Sequence, residues 1–145
     1  MRALVQRVAS ARVTVAGDVV GSIGKGALVL VGIGRADTEP VVRQMADKLV
    51  HLRMFEDEAG KTNLAATDIG AEVLVVSQFT LYADTRRGRR PGFTDAALPE
   101  LAEPMVVLFA AEIARHGLHV ETGRFGAHMV VALENDGPFT LLLEL

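Results

Sequence analysis

Two short segments and one basic run concentrate the groups in this chain that could do chemistry. In Ser77-Gln78-Phe79-Thr80-Leu81 an apolar stretch abruptly presents polar groups at its carboxyl end. A strand end releases backbone amides from the ladder, and released amides can hold a ligand or a developing negative charge. Ser and Thr hydroxyls bonded back to the main chain account for the same composition. Asn135-Asp136-Gly137-Pro138-Phe139-Thr140 carries the residue types of a tight turn, and a hairpin is its simplest reading. Arg86, Arg87, Arg89 and Arg90 form the one dense basic run. It suits contact with phosphates, or a solvated loop.

Several other arrangements fail on spacing. Gly21-Ser22-Ile23-Gly24-Lys25-Gly26 is too compact for a phosphate loop, and Lys25 is followed by glycine where Ser or Thr would hold magnesium. Gly32-Ile33-Gly34 lacks the third glycine of a dinucleotide fingerprint. His51, His116, His119 and His128 include no pair at the spacing of a helical zinc site, and no cysteine accompanies them. They read as structural or exposed, and no metal site is expected. Ser77 is not flanked as in a nucleophile elbow and has no local base, which argues against a serine-hydrolase triad.

The elements that must position these groups follow from patterning. The 145 residues contain no repeat, low-complexity tract or linker-like stretch, so residues 1–145 are expected to form a single domain. Met1 to Val15 alternates and reads as strand, not as a signal peptide. Gly17-Asp18 marks a turn, with Val19 to Ile23 returning as hairpin partner. Ala27 to Ile33 and Glu72 to Phe79 are apolar runs of the kind covered on both faces. Asp37-Thr38-Glu39-Pro40 starts a helix whose core face would be Val42, Met45, Ala46 and Leu49. A second helix is expected from about Glu103 to His116, then strands over Leu118 to Thr122, His128 to Glu134 and Phe139 to Leu143. Strands at both ends around two main helices do not repeat a βαβ unit. The fold class is therefore α+β, with helices packed on a mixed or antiparallel sheet. Net charge is −3, so nucleic-acid binding would need a local basic patch. The apolar runs are too short to span a bilayer, and the absence of cysteine suits a cytoplasmic location.

Taken together, Ser77 to Leu81 and Asn135 to Thr140 resemble the two signature motifs of the D-aminoacyl-tRNA deacylase family. The likeness extends to Gln6-Arg7-Val8, Ile23 to Gly26, Ala83 to Gly88, Arg90-Pro91 with Phe93, and Gly123 to Ala127 with Met129, in the family's order and spacing. Gly92 stands where the family commonly has serine.

The resemblance implies a homodimer, free of cofactor, that cleaves the ester between a D-amino acid and the terminal adenosine of tRNA. Glycine mischarged on tRNA(Ala) would also be a substrate. It places Ser77, Gln78, Phe79 and Thr80 at the reacting centre, with the Phe79 and Thr80 amides as candidate oxyanion donors. A cis Gly137-Pro138 bond from the partner chain would read chirality, supported by Arg7. Phe125, Gly126, Ala127 and Met129 would shape an adenosine pocket, and Arg86, Arg87, Arg89 and Arg90 would meet tRNA phosphates. Two other readings remain at this level: an editing hydrolase acting on L-aminoacyl-tRNA, and a non-catalytic tRNA-binding module.

Overall fold

The computed structural model describes residues 1–86 and 88–145; Arg87 of the basic run lies outside the described residues. A six-stranded mixed sheet carries the fold. Strand β1 (Arg2–Val15) is long enough to serve two neighbours on one edge. Its first half pairs antiparallel with β3 (Gly26–Gly32) and its second half with β2 (Asp18–Ile23), through a turn at Ala16 and Gly17. β3 continues in parallel to β6 (Glu72–Ser77), and β6 to β7 (Val120–Thr122). The other edge of β1 is taken by β8 (Val130–Glu144). The α+β class with a mixed sheet stands.

The two continuous apolar strands are buried on both faces, as their composition requires. Ala27, Val29, Val31, Val73 and Val75 face the helices with Ala3 and Val5. Leu28, Leu74 and Val76 face a second core, closed by Val8, Ala11, Val13 and Ile23 where β1 and β2 fold over. Gly26 permits the start of this arrangement: a side chain there would lie 1.8 Å from the Glu72 carbonyl oxygen.

Helix α1 (Glu39–Val50) buries Val42, Met45, Ala46 and Leu49, the stripe its spacing predicts. Thr38 precedes it without a side-chain cap, and Asp37 instead accepts from the Gly34 amide at 2.6 Å. A short hairpin, β4 (Phe55–Glu56) and β5 (Thr62–Leu64), and a single helical turn, α2 (Ala66–Ile69), follow. None of the three has a sequence periodicity that would announce it. Helix α3 (Pro99–Arg115) begins four residues before the expected start. Pro99 supplies the first-turn proline, and Pro104 lies inside the helix, where it costs one hydrogen bond. Gly117, at φ 84°, ends it.

Two expectations change at the motifs. The ladder of β6 stops at Ser77, and Phe79–Tyr82 forms a turn of 3-10 helix in place of further strand. After its amide bonds Val31, the Gln78 backbone turns so that its carbonyl accepts from Leu81. Asn135 to Pro138 does not reverse the chain either. β8 runs along β1 on both sides of it, with Val8 opposite Asn135 and Gln6 opposite Thr140. Arg7 alone therefore faces residues 136–139, which bulge from the edge of the sheet. The turn-forming residues are spent on an excursion within one strand.

Candidate active site

The carboxyl ends of the parallel pair β3 and β6 open into a cavity of about 370 Å³. Ser77, Gln78 and Phe79 form one wall, Phe125 and Gly126 another, and Ala102 and Val106 of α3 a third. A crevice at the carboxyl ends of parallel strands is a common place for a ligand, because the chain turns away there and leaves backbone groups unpaired. Phe79 is 57% exposed and meets Phe93 edge-on, ring centroids 5.0 Å apart. These aromatic and aliphatic walls suit a flat heterocycle. Arg35 is the one charged residue lining the cavity among the described residues, and no carboxylate or imidazole does so. Sequence reasoning missed Arg35 and assigned no role to Phe93. Only their positions in space mark them.

Phe79 and Thr80 head the 3-10 turn, and their amides have no hydrogen-bond acceptor among the described residues. Unpaired donors at the start of a helical turn are suited to a developing oxyanion. Thr80 is exposed, and its hydroxyl accepts a hydrogen bond from the Gln78 amide group. The turn is held from behind. Arg2 donates to the Leu81 carbonyl at 2.8 Å, and its guanidinium lies 4.6 Å from the centre of the Tyr82 ring. Gly32 and Gly34 leave room for that ring: a side chain at Gly34 would come within 2.7 Å of the Tyr82 hydroxyl. Burial, and after it Asp37, push the Tyr82 phenol up to about 12, so it stays protonated.

Of the expected adenosine-pocket residues, Phe125 and Gly126 line the cavity and Ala127 and Met129 do not. The Met129 side chain packs on Gly123 and against the second core.

The second motif lies elsewhere. The Gly137–Pro138 bond is cis, and both residues are exposed. Beneath them Arg7 is the single buried charged residue among those described. It donates to the Asp136 carbonyl at 3.0 Å and the Met54 carbonyl at 2.8 Å, and stacks 5.0 Å from the Phe139 ring centre. Asn135 closes the bulge, accepting from the Phe139 amide at 2.7 Å and donating to the Thr140 hydroxyl at 2.9 Å. Within one chain, then, the two motifs do not meet.

The basic run is less uniform than its sequence. Arg86 makes a two-pronged pair with Asp84, at 2.9 and 2.8 Å. That hydrogen-bonded pairing, reinforced by the Arg86 amide, holds the Asp84 carboxyl well below the usual range and raises Arg86. Arg89 and Arg90 are exposed. Asp84 and Gly92 close this loop through reciprocal backbone bonds of 2.7 and 2.9 Å, which any residue but proline could make at 92. A side chain at Gly92 would meet nothing nearer than the Asp84 carbonyl oxygen at 4.0 Å, so the missing serine leaves the loop closed. Gly24, in the compact glycine segment, gives its amide to Glu72 at 2.6 Å, a carboxylate where a phosphate reading would need an anion.

The family model described as D-Tyr-tRNA(Tyr) deacylase matches residues 4–144. The chain is 61% identical over 144 residues to a D-aminoacyl-tRNA deacylase of Roseiflexus sp. (strain RS-1), covering 99% of this chain and 93% of that one. It is 58% identical to the protein of the same description from Heliobacterium modesticaldum (strain ATCC 51547 / Ice1), covering 99% and 96%. Among solved structures, the c-Myc DNA Unwinding Element Binding Protein superposes with a TM-score of 0.93 at 42% identity, over 100% of this chain and 99% of that chain. A probable eukaryotic D-amino acid tRNA deacylase superposes at 0.89 and 17% identity, over 99% and 98%, a likeness of fold.

Proposed function

The chain belongs to the D-aminoacyl-tRNA deacylase family and hydrolyses the ester of D-aminoacyl-tRNA, and from that premise we propose how one active site is shared between two copies of it. Residues 1–145 act as one cytoplasmic domain. The terminal adenosine enters the cavity against Phe79, Phe125 and Gly126. The ester carbonyl meets the Phe79 and Thr80 amides, and Gln78 orients the substrate. The carbonyls of Gly137 and Pro138 from the partner copy hold the α-ammonium group.

One observation carries this reading. Arg7, which fastens the Gly-Pro bulge, pairs with Ala27 at the start of β3, whereas the cavity opens at Val31 and Ile33. Four to six residues of strand, roughly 13–20 Å, separate the two levels. A chain cannot close its own cavity with its own bulge, but a second copy can. Exposed apolar residues on edge strand β8, among them Val130, Leu133 and Leu142, support burial of that edge in a homodimer.

With the ammonium and the ester both fixed, a D side chain leaves the site and an L side chain points into the Gly-Pro backbone. Glycine, having no side chain, passes, so glycyl-tRNA(Ala) is a substrate. A thousandfold preference needs about 4 kcal/mol. Losing one or two charge-assisted hydrogen bonds, about 1.5–3 kcal/mol each, reaches that value. The deciding assay follows ester loss from D- and L-tyrosyl-tRNA. Fast loss of the D form alone is expected; equal loss of both would refute the chiral site, and loss of neither would leave only tRNA binding.

With no carboxylate or imidazole on the cavity wall among the described residues, the terminal 2′-hydroxyl of the substrate is assigned the task of assisting attack by water. Thr80→Ala is then expected to keep deacylation within about tenfold of the parent, whereas 2′-deoxy-terminated tRNA loses at least about a hundredfold, the scale of general acid–base assistance. The reverse pattern would make Thr80 the active group.

Arg86, Arg87, Arg89 and Arg90 serve tRNA phosphates, with Arg86 weakened by its pairing to Asp84. Replacing Arg89 and Arg90 with alanine is expected to make the slope of log affinity against log salt shallower by about 1–2. An unchanged slope assigns the loop to solvent.

A further inference from the structure

We propose that the carboxyl ends of α1 and α3 together form a site for one Zn²⁺ ion per chain, held by Asp47, His51 and His116. His51 directly follows the last residue of α1 and His116 the last residue of α3. The two imidazoles meet edge to face with centroids 5.3 Å apart. The His51 Nδ1 atom lies 2.9 Å from the Asp47 main-chain carbonyl oxygen and 3.2 Å from the Asp47 carboxylate, and one ligand atom from each of the three residues falls within 4.8 Å of the others. A tetrahedral zinc bound at about 2.0 Å by nitrogen or oxygen needs donors about 3.3 Å apart. All three residues are exposed, so no buried packing opposes the side-chain rotations that would bring them to that spacing.

The donor set is two imidazoles and one carboxylate with water open to the fourth position, the chemistry that binds zinc and its neighbours in preference to magnesium or calcium. The location favours a cation as well, because two helix carboxyl ends converge there with their partial negative charge. Sequence spacing hid the site. Asp47 and His51 stand one helical turn apart, but the third ligand arrives from a helix 65 positions later. The ion would clip the end of α1 to the end of α3, away from the cavity, so its presence and the deacylase reading are tested separately.

The experiment is calorimetric titration of tag-free protein with zinc chloride, paired with thermal unfolding. One equivalent per chain and a raised unfolding temperature are expected, with no response to magnesium chloride. Affinity should fall at least about tenfold in both His116→Ala and Asp47→Asn, as expected when one of three ligands is removed. His119→Ala, which alters a histidine paired to Glu121 elsewhere, should bind as the parent does. Absence of a one-equivalent uptake, or parental affinity in either His116→Ala or Asp47→Asn, overturns the proposal.

Discussion

Gly137→Ala is expected to slow deacylation of D-tyrosyl-tRNA at least about a hundredfold, the scale on which an ångström of misplacement at a reacting centre is felt. Gly137 has φ 135°, where an L side chain is strained. A methyl group there would lie 3.0 Å from the Phe139 amide nitrogen and 3.1 Å from the Arg7 guanidinium. Neither neighbour can yield freely. The amide is held by Asn135 and the guanidinium is buried, so the bulge itself must shift its carbonyls. Because the bulge is exposed at the sheet edge, the fold should survive, and an unchanged far-ultraviolet spectrum would verify that. Complementation makes the test sharper. Ala102→Trp fills the cavity but leaves the bulge intact, so each variant alone should be nearly inactive. Co-expressed, half the dimers are mixed and each mixed dimer holds one undamaged site, giving roughly a quarter of parental activity if the site spans a two-fold interface. No recovery in verified mixed dimers would defeat the shared site.

Arg7→Ala should produce the largest loss of stability, about 3 kcal/mol, because it strands the buried bond to the Met54 carbonyl and the partly buried one to the Asp136 carbonyl. For a chain of this size that is roughly 10 °C of unfolding temperature by calorimetry. The guanidinium serves Met54, Asp136 and the Phe139 ring at once, with Glu56 at 3.5 Å. Arg7→Lys keeps the charge but loses the planar fork and should fall between the two. Activity should drop in both variants, even at temperatures where they remain folded, since the bulge loses its floor. An alanine variant that melts with the parent would remove Arg7 from the supporting role.

Much of the scaffold was legible in local pattern. The stripe of Val42, Met45, Ala46 and Leu49 faces the core as its period demands. The unbroken apolar runs in β3 and β6 are covered on both faces. Where local chemistry allowed two outcomes, it did not choose between them. Asn, Asp, Gly and Pro suit a hairpin as well as a bulge, and the bulge arises because both flanks of β8 find hydrogen-bond partners along one long β1. Two prolines five residues apart can each open a helix, and α3 takes the earlier one. The strands β4 and β5 are too short to leave a period at all.

By itself the sequence determined the residue types and their order: the Ser77 to Leu81 and Asn135 to Thr140 motifs, the core-facing stripes, the family. These are local properties, encoded by spacing along the chain. Tertiary structure alone decided which distant residues meet. Register on β1 put Arg7 under Gly137, and strand direction set the cavity and the bulge at different levels of the sheet. Helix packing brought His51 to His116. Such meetings depend on the register and packing of the whole chain, which no local window contains.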